Sequence, residues 1–238
     1  FVANIDGGGT DKDGKGHISV YSKTGKPISR KWISNINGPK GMRGAQGILW
    51  VSNIDEVLKI DIASRKIVKR FPVKGSIFLN DIAIAKNGDV FVSDTLTSKI
   101  HKIEKDKVST FVQGDEWESP NGLLVDGNKL IVAAWGLTSD FSTKVDGRLY
   151  SIDLKTKKKT LITQKPLGHL DGLERLSNGD YLVSDWSKGL IHRVGKGGES
   201  KVVYRGKQGL ADIGYVPESK IILIPYMKDN KVYSIPLP

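Results

Sequence analysis

The chain has 238 residues, no cysteine and a formal net charge of +11 at pH 7. The lack of cysteine excludes disulfides and thiolate chemistry, and no apolar run reaches the roughly 18 residues of a membrane-spanning helix. The lysines are spread over turns, as in residues 155–159, so we interpret the charge as a solvated surface and expect no nucleic-acid partner.

In chain order, a short apolar run recurs six times. The copies are residues 1–4, 50–53, 91–94, 131–134, 182–185 and 223–226. A period of about 40 residues with several short strands per copy is typical of a β-propeller, and no stretch shows the pattern of a long amphipathic helix. The sequence therefore predicts an all-β fold, a six-bladed β-propeller that forms a single domain over residues 1–238.

A second set of runs alternates apolar with polar residues, as half-buried antiparallel strands do. These predicted third strands of the blades cover residues 17–21, 57–61, 100–103, 149–153, 190–194 and 232–235, and a fourth, outer strand follows most of them. The first blade lacks its first strand and the last blade lacks its fourth. We expect residues upstream of Phe1 to complete both.

One position at the start of each predicted inner strand carries the candidate chemistry. It is filled by Lys40, Asn80, Asn121, Asp171 and Asp212 in successive blades. Because the inner strands of a propeller run side by side around a channel, we expect these side chains to converge. Amide and carboxylate oxygens suit hard divalent cations such as Ca²⁺ or Mg²⁺, whereas zinc usually requires His or Cys.

Asn and Asp have a second, purely structural interpretation, since both residues also cap turns and close hydrogen bonds between blades. We expect this structural role for the polar residues that end the second strands, Asn4, Asn53, Asp94 and Asp185. For Lys40 three roles stay open: an ion pair with a nearby carboxylate, a contact with an anionic group of the substrate, or replacement of a cation.

Other residues could line the mouth of the channel. The spacing from Asn121 to Asp171 is longer than that of the other repeats, and the extra residues, 136–147, lie after Trp135 and include Phe141. Inserted loops often carry specificity, so we predict that Trp135 contacts substrate. His169 lies two residues before Asp171 and is either structural or reaches the mouth.

Two motifs, Pro120-Asn121-Gly122-Leu123 and Leu170-Asp171-Gly172-Leu173, resemble the metal-site motifs of the senescence-marker protein, gluconolactonase and luciferin-regenerating enzyme family. The resemblance implies one divalent metal in the central tunnel, with Asn121 and Asp171 as ligands and Asn80 as an auxiliary residue. It also implies that the metal polarises the carbonyl of a cyclic ester while an Asp helps to activate water. The family's further ligand, a Glu of the first inner strand, would precede Phe1.

These observations predict a metal-dependent hydrolase of a small lactone or ester. Asp171 and Asn80 would be catalytic, Asn121 and Asp171 would bind the metal, and substrate would contact a third set of residues, Lys40, Asn80, Asp212 and Trp135. Ca²⁺ is the expected cofactor, with Mg²⁺, Mn²⁺ and Zn²⁺ as alternatives. The alternative function is a non-catalytic propeller that binds a small ligand or a protein partner.

A third hypothesis is a lyase that opens a cyclic ester, for which His169 is the candidate base. The sequence leaves open whether the protein is an enzyme. We expect a monomer that acts on a small molecule, and an exported location is favoured over a cytoplasmic one.

Overall fold

The computed structural model describes residues 1–238 as two compact units, Phe1–Phe111 and Val112–Pro238. Both units consist of antiparallel β-sheets, joined by tight turns and three single-turn 3-10 helices. Within every sheet the strands hydrogen-bond to one another in chain order, which is the simplest arrangement of successive hairpins.

The first unit contains three sheets. The first sheet consists of β1 (Val2–Asn4), β2 (Gly16–Tyr21) and β3 (Pro27–Ile36). The second consists of β4 (Pro39–Ala45), β5 (Ile48–Asn53), β6 (Glu56–Asp61) and β7 (Lys66–Pro72). The third consists of β8 (Leu79–Ile84), β9 (Val90–Asp94), β10 (Lys99–Glu104) and β11 (Lys107–Gln113), with a 3-10 helix at Thr95–Thr97.

The second unit also contains three sheets. The first consists of β12 (Pro120–Asp126), β13 (Lys129–Ala134), β14 (Leu149–Asp153) and β15 (Lys159–Leu161), after a 3-10 helix at Asp115–Trp117. The second consists of β16 (Leu170–Arg175), β17 (Tyr181–Asp185), β18 (Leu190–Val194) and β19 (Ser200–Arg205). The third consists of β20 (Gly214–Val216), β21 (Ile221–Tyr226) and β22 (Lys231–Pro236), with a 3-10 helix at Met227–Asp229.

In the four-stranded sheets the second strand carries much of the core. Strands β9 and β17 are buried along their whole length, because neighbouring sheets cover both of their faces. Val92 and Val183 lie at equivalent places in these strands and are fully buried. Burying a side chain of this kind stabilises the fold by about 1.5–3 kcal/mol, so the repeated apolar run is what holds successive sheets together.

The predicted strands are confirmed. All six second-strand runs lie in β1, β5, β9, β13, β17 and β21, and the alternating runs lie in β2, β6, β10, β14, β18 and β22. Two of the six sheets have three strands, as expected for incomplete first and last blades. No helix is long and apolar enough to cross a membrane.

Candidate functional site

Glycines bring the starts of neighbouring inner strands into contact. A Cβ atom on Gly41 would lie 2.5 Å from the Cα of Asp81 and 2.6 Å from the carbonyl oxygen of Asn80. A Cβ atom on Gly122 would overlap the carbonyl oxygen of Asp171. Only a residue without a side chain allows this approach, so the X-Gly motif fixes the candidate residue X beside the next strand.

Asn121 and Asp171 lie at the starts of two such neighbouring strands, β12 and β16. The side-chain amide of Asn121 donates from Nδ2 to the carbonyl oxygen of Leu170, at 3.1 Å. Asn121 is 1 % exposed and Asp171 is 8 % exposed. The structure thus places Asn121 and Asp171 at the buried starts of neighbouring strands in the second unit. That their side chains converge on one site stays a prediction.

Asp212 differs from its predicted place, because it precedes β20 instead of starting it. Its position beside β16 is nevertheless retained: a Cβ atom on Gly172 would lie 2.7 Å from the Cα of Asp212. The hydroxyl of Ser184 accepts from the Gly172 amide at 2.7 Å and donates to the carbonyl oxygen of Ala211 at 3.0 Å. Asp212 therefore follows Asn121 and Asp171 as a half-buried second carboxylate in the same unit.

In the first unit, Lys40 is held by carbonyl oxygens and an aromatic ring. Its Nζ donates to Gly9 at 2.8 Å and to Gly38 at 3.2 Å, and it lies 4.2 Å from the centroid of the Phe78 ring. Burial lowers the pKa of Lys40 to about 8, although the carboxylate of Asp94 opposes that shift. The interpretation of Lys40 as half of an ion pair is wrong, since its direct partners are neutral.

Asn80 begins β8 in the same unit and is half-buried. Its backbone carbonyl accepts a hydrogen bond from the hydroxyl of Ser52 in the preceding sheet. The structure therefore confirms that Asn80 follows Lys40 on the next inner strand. That all five positions share one site with substrate or metal stays a prediction.

No family model matches the sequence and no curated protein is found to be similar to it. Solved structures are similar in fold. One is described as a nidogen/laminin complex, with 13 % identity, a TM-score of 0.74, and coverage of 95 % of this chain and 88 % of that one. Another is a catalytically inactive histidine-to-alanine variant of virginiamycin B lyase from Staphylococcus aureus with quinupristin. It is 14 % identical with a TM-score of 0.68, over 99 % of this chain and 80 % of that one.

The fold is a six-bladed β-propeller. At these identities the similarity concerns the fold alone, and it confirms the architecture that the repeat predicted. The resemblance to the lactonase-like family is thereby supported only at the level of the propeller.

The polar residues that end the second strands bind backbone groups within their own blades. Asn53 Oδ1 accepts from the Gly38 amide at 2.9 Å, and Asp94 Oδ1 accepts from the Phe78 amide at 2.9 Å. Asp185 Oδ1 accepts from the amides of Ser187 and Lys188. Asp185 therefore caps the turn that follows its strand, whereas Asn53 and Asp94 fasten their strands to the segment that precedes the inner strand. The structural interpretation of these three residues is confirmed. Asn4 donates from Nδ2 to the carbonyl oxygen of Val2 at 3.0 Å and to the hydroxyl of Ser19 on the adjacent strand at 2.9 Å, so it too has a structural role.

Bonds between blades come from residues that the sequence reasoning missed. Ser52 and Ser184 each precede a capping residue, and each hydroxyl donates to a carbonyl oxygen of the following blade. The signal was present in the repeat, because Val-Ser recurs at residues 51–52, 92–93 and 183–184. These serines tie the inner strands together and so position the candidate residues.

Trp135 is the centre of a group of rings near the starts of β12 and β16. It is stacked on His169, with centroids 5.0 Å apart and planes at 17°, and it lies 5.0 Å from Phe141 and 5.8 Å from Trp186. The Nδ1 of His169 lies 2.8 Å from the carbonyl oxygen of Trp135. Because a carbonyl can only accept, Nδ1 carries the proton and Nε2 is the basic nitrogen. The sequence had named these residues singly and had not predicted that they stack.

Proposed function

We propose that this protein is a metal-dependent hydrolase of a small lactone or ester, with the cation held by Asn121 and Asp171. The observation that carries the proposal is the 3.1 Å hydrogen bond from Asn121 Nδ2 to the carbonyl oxygen of Leu170. It holds Asn121 beside the strand that carries Asp171, and both residues are buried. The bond engages the amide nitrogen, so Oδ1 is the atom of Asn121 that would ligate a cation.

The donor chemistry fits Ca²⁺. Asn121, Asp171 and Asp212 offer only oxygen, and Ca²⁺ takes about six to eight oxygen ligands, commonly including water. No group of three or more His, Cys, Asp or Glu side chains is placed to hold a metal, so the proposed set depends on the amide of Asn121. When bound, Ca²⁺ would polarise the ester carbonyl as a Lewis acid.

Asp171 has the catalytic role in this proposal. Its carboxylate accepts a proton from water, the water oxygen bonds to the carbonyl carbon, and the ring C–O bond breaks. The proton then passes to the departing alkoxide, which gives a hydroxy acid. That Asn80 and Lys40 contact substrate stays a prediction from the sequence; within the first unit, two carbonyls engage the ammonium of Lys40, which has three N–H donors in all.

His169 supports a second candidate, a lyase that opens a cyclic ester by elimination. Its basic Nε2 is oriented by the Nδ1 bond to Trp135, and its ring is only partly buried. In that reaction Nε2 would take a proton from carbon and the adjacent C–O bond would break. The ring would open to one molecule that carries both an alkene and a carboxylate. The similarity in fold to a lyase favours keeping this candidate.

The test begins with calcium titration by calorimetry on the wild-type chain and on Asp171→Asn, which keeps the shape of the side chain. We expect a dissociation constant on the order of micromolar, weakened at least about tenfold by Asp171→Asn. Asp115→Ala, which removes an exposed carboxylate of the same unit, is the control and should bind as the wild type does.

Turnover is then followed by mass spectrometry, with and without a chelator, on δ-valerolactone, dihydrocoumarin and β-butyrolactone. Only β-butyrolactone has an acidic C–H next to its C–O carbon, so it alone can also be opened by elimination. Hydrolysis adds the mass of one water to the substrate, whereas elimination opens the ring at unchanged mass. Turnover that survives both chelation and Asp171→Asn would contradict the hydrolase. If the wild type forms a product of unchanged mass and His169→Gln does not, the lyase is supported. If ligand binds without any turnover, the protein is a non-catalytic binding propeller.

A further inference from the structure

The group of rings around Trp135 has the features of a binding subsite. We define the aromatic cluster as Trp135, Phe141, His169 and Trp186. Trp135 is 6 % exposed and the other three are half-buried. The ammonium of Lys228 lies 5.1 Å from the centroid of the Trp186 ring. Small-molecule sites are commonly lined by aromatic side chains together with a few polar groups.

The cluster adjoins the residues of the proposed site through the backbone. The amide of Trp135 donates to the carbonyl of Ser119, two residues before Asn121. The amide of Trp186 donates to the carbonyl of His169, two residues before Asp171. The cluster is therefore bonded to the backbone two residues before each proposed metal ligand.

The inserted loop is fastened to the same two places. Residues 135–148 connect β13 to β14, where residues 95–98 and 186–189 make the equivalent connections in other blades. At one end the amide of Thr138 donates to the hydroxyl of Ser119 at 2.9 Å. At the other, the amide of Gly147 donates to the carbonyl of Gly168 at 2.8 Å. The loop is thus held over the segments that lead into Asn121 and Asp171.

The loop carries Phe141 in a backbone conformation that aromatic residues rarely adopt. Its φ is 64°, in the left-handed region that favours glycine. Such a conformation persists only where its surroundings impose it, and it is common where a side chain must be presented for function. Here it brings the Phe141 ring edge-on to Trp135, at 5.0 Å.

Trp135 supplies a polar feature. Its indole Nε1 is buried and has no hydrogen-bond acceptor. A buried donor without a partner is costly, and an acceptor atom on a ligand that enters beside Phe141 would satisfy it. Flat ring faces together with one unmatched donor match a planar aromatic group that bears an oxygen.

We infer that the aromatic cluster binds an aryl substituent of the substrate, so that this site acts on aromatic lactones or esters. The inference rests on the proposed function for the reacting group. The aryl ring lies against Phe141 and Trp186, and the carbonyl faces Asn121 and Asp171. Stacking of aromatic rings supplies the preference over an aliphatic substrate of the same ring size.

Two lactams that resist hydrolysis test the inference by binding alone. They are δ-valerolactam and its benzo-fused counterpart dihydrocarbostyril, titrated by calorimetry with and without Ca²⁺. We expect the wild-type protein to bind dihydrocarbostyril about tenfold more tightly. Equal affinity for the two lactams, or no binding of the benzo-fused one, would overturn the inference.

Phe141→Gly and Lys157→Gly form a matched pair of variants. Both positions have positive φ, at 64° and 60°, so glycine relieves strain at each and both variants are expected to fold. Only Phe141→Gly removes a ring, and it should reduce the preference for dihydrocarbostyril to about twofold or less. An unchanged preference in Phe141→Gly would overturn the aryl subsite.

The subsite and the hydrolase fail separately. Suppose that the protein prefers dihydrocarbostyril, that Phe141→Gly abolishes the preference, and that no lactone is turned over. The aryl subsite would then be supported and the hydrolase would be contradicted. If the protein turns over dihydrocoumarin and δ-valerolactone with equal efficiency and shows no lactam preference, the hydrolase would be supported and the aryl subsite would be contradicted.

Discussion

At the scale of single residues, Lys40 is a lysine that burial has taken largely out of water. Its pKa is lowered to about 8 from 10.5, mainly by burial. Between these two values the unfolded chain binds more protons than the folded one, so the free energy of unfolding rises with pH across that window. Burial of the charged lysine lowers the free energy of unfolding below pH 8 by at most about 3 kcal/mol, and solvent screening reduces this amount.

The corresponding prediction concerns Lys40→Met. The difference in unfolding free energy between wild type and Lys40→Met should grow in favour of the wild type from about pH 8 to 10.5, because only the wild type has this titration. Denaturant unfolding at a series of pH values measures it. Lys23→Met, at an exposed lysine of the same unit, should follow the wild type. Parallel profiles for wild type and Lys40→Met would show that burial does not shift this amine.

Residue placement could be predicted where it follows from the repeat. Asn121 and Asp171 lie on neighbouring strand starts, as the spacing of the X-Gly motifs indicated. The stacking of His169 on Trp135 could not be predicted, because it is a side-chain contact between neighbouring blades that the repeat does not specify. The carbonyl partners of Lys40 could not be predicted either, because a sequence shows charges but not the backbone carbonyls that surround them.

At the scale of elements, the close approach of inner strands depends on glycine. A Cβ atom at Gly122 would overlap the carbonyl of Asp171 and lie 3.2 Å from the Cβ of Ala133. We therefore expect Gly122→Ala to lower the free energy of unfolding by about 2 kcal/mol, a typical cost of overpacking. Gly44→Ala is the control, since its Cβ atom would meet nothing closer than the Ile48 carbonyl at 3.9 Å. Urea denaturation should show a stability loss only for Gly122→Ala, and equal stabilities for the two variants would refute the contact.

The strands themselves were predictable because each has a simple chemical pattern. A run that is apolar throughout became a middle strand covered on both faces, and an alternating run became its half-buried neighbour. The last inner strand was less predictable. Ala211, Asp212 and Ile213 repeat the motif, yet the regular strand begins only at Gly214. A motif can keep its contact with the preceding blade without forming a ladder of its own.

At the scale of the whole molecule, the period of about 40 residues predicted both the class of fold and the number of blades. Sequence comparison adds little, because the two similar solved structures described above share only 13 % and 14 % identity with this chain. The fold is determined by the repeated apolar pattern, which many sequences satisfy. The chemistry depends on a few residues at the strand starts, and these differ among proteins of one fold.

The prediction that residues 1–238 form one domain has a direct thermal test. A single cooperative domain of this length should unfold in one transition with an enthalpy of about 170 kcal/mol, and its calorimetric and van't Hoff enthalpies should agree. Tryptophans report on each unit, with Trp32 and Trp50 in the first and Trp117, Trp135 and Trp186 in the second. In a Trp32→Phe, Trp50→Phe variant, fluorescence follows the second unit alone. Its midpoint should coincide with that of the whole chain by circular dichroism, whereas two separated midpoints would mean that the units unfold independently.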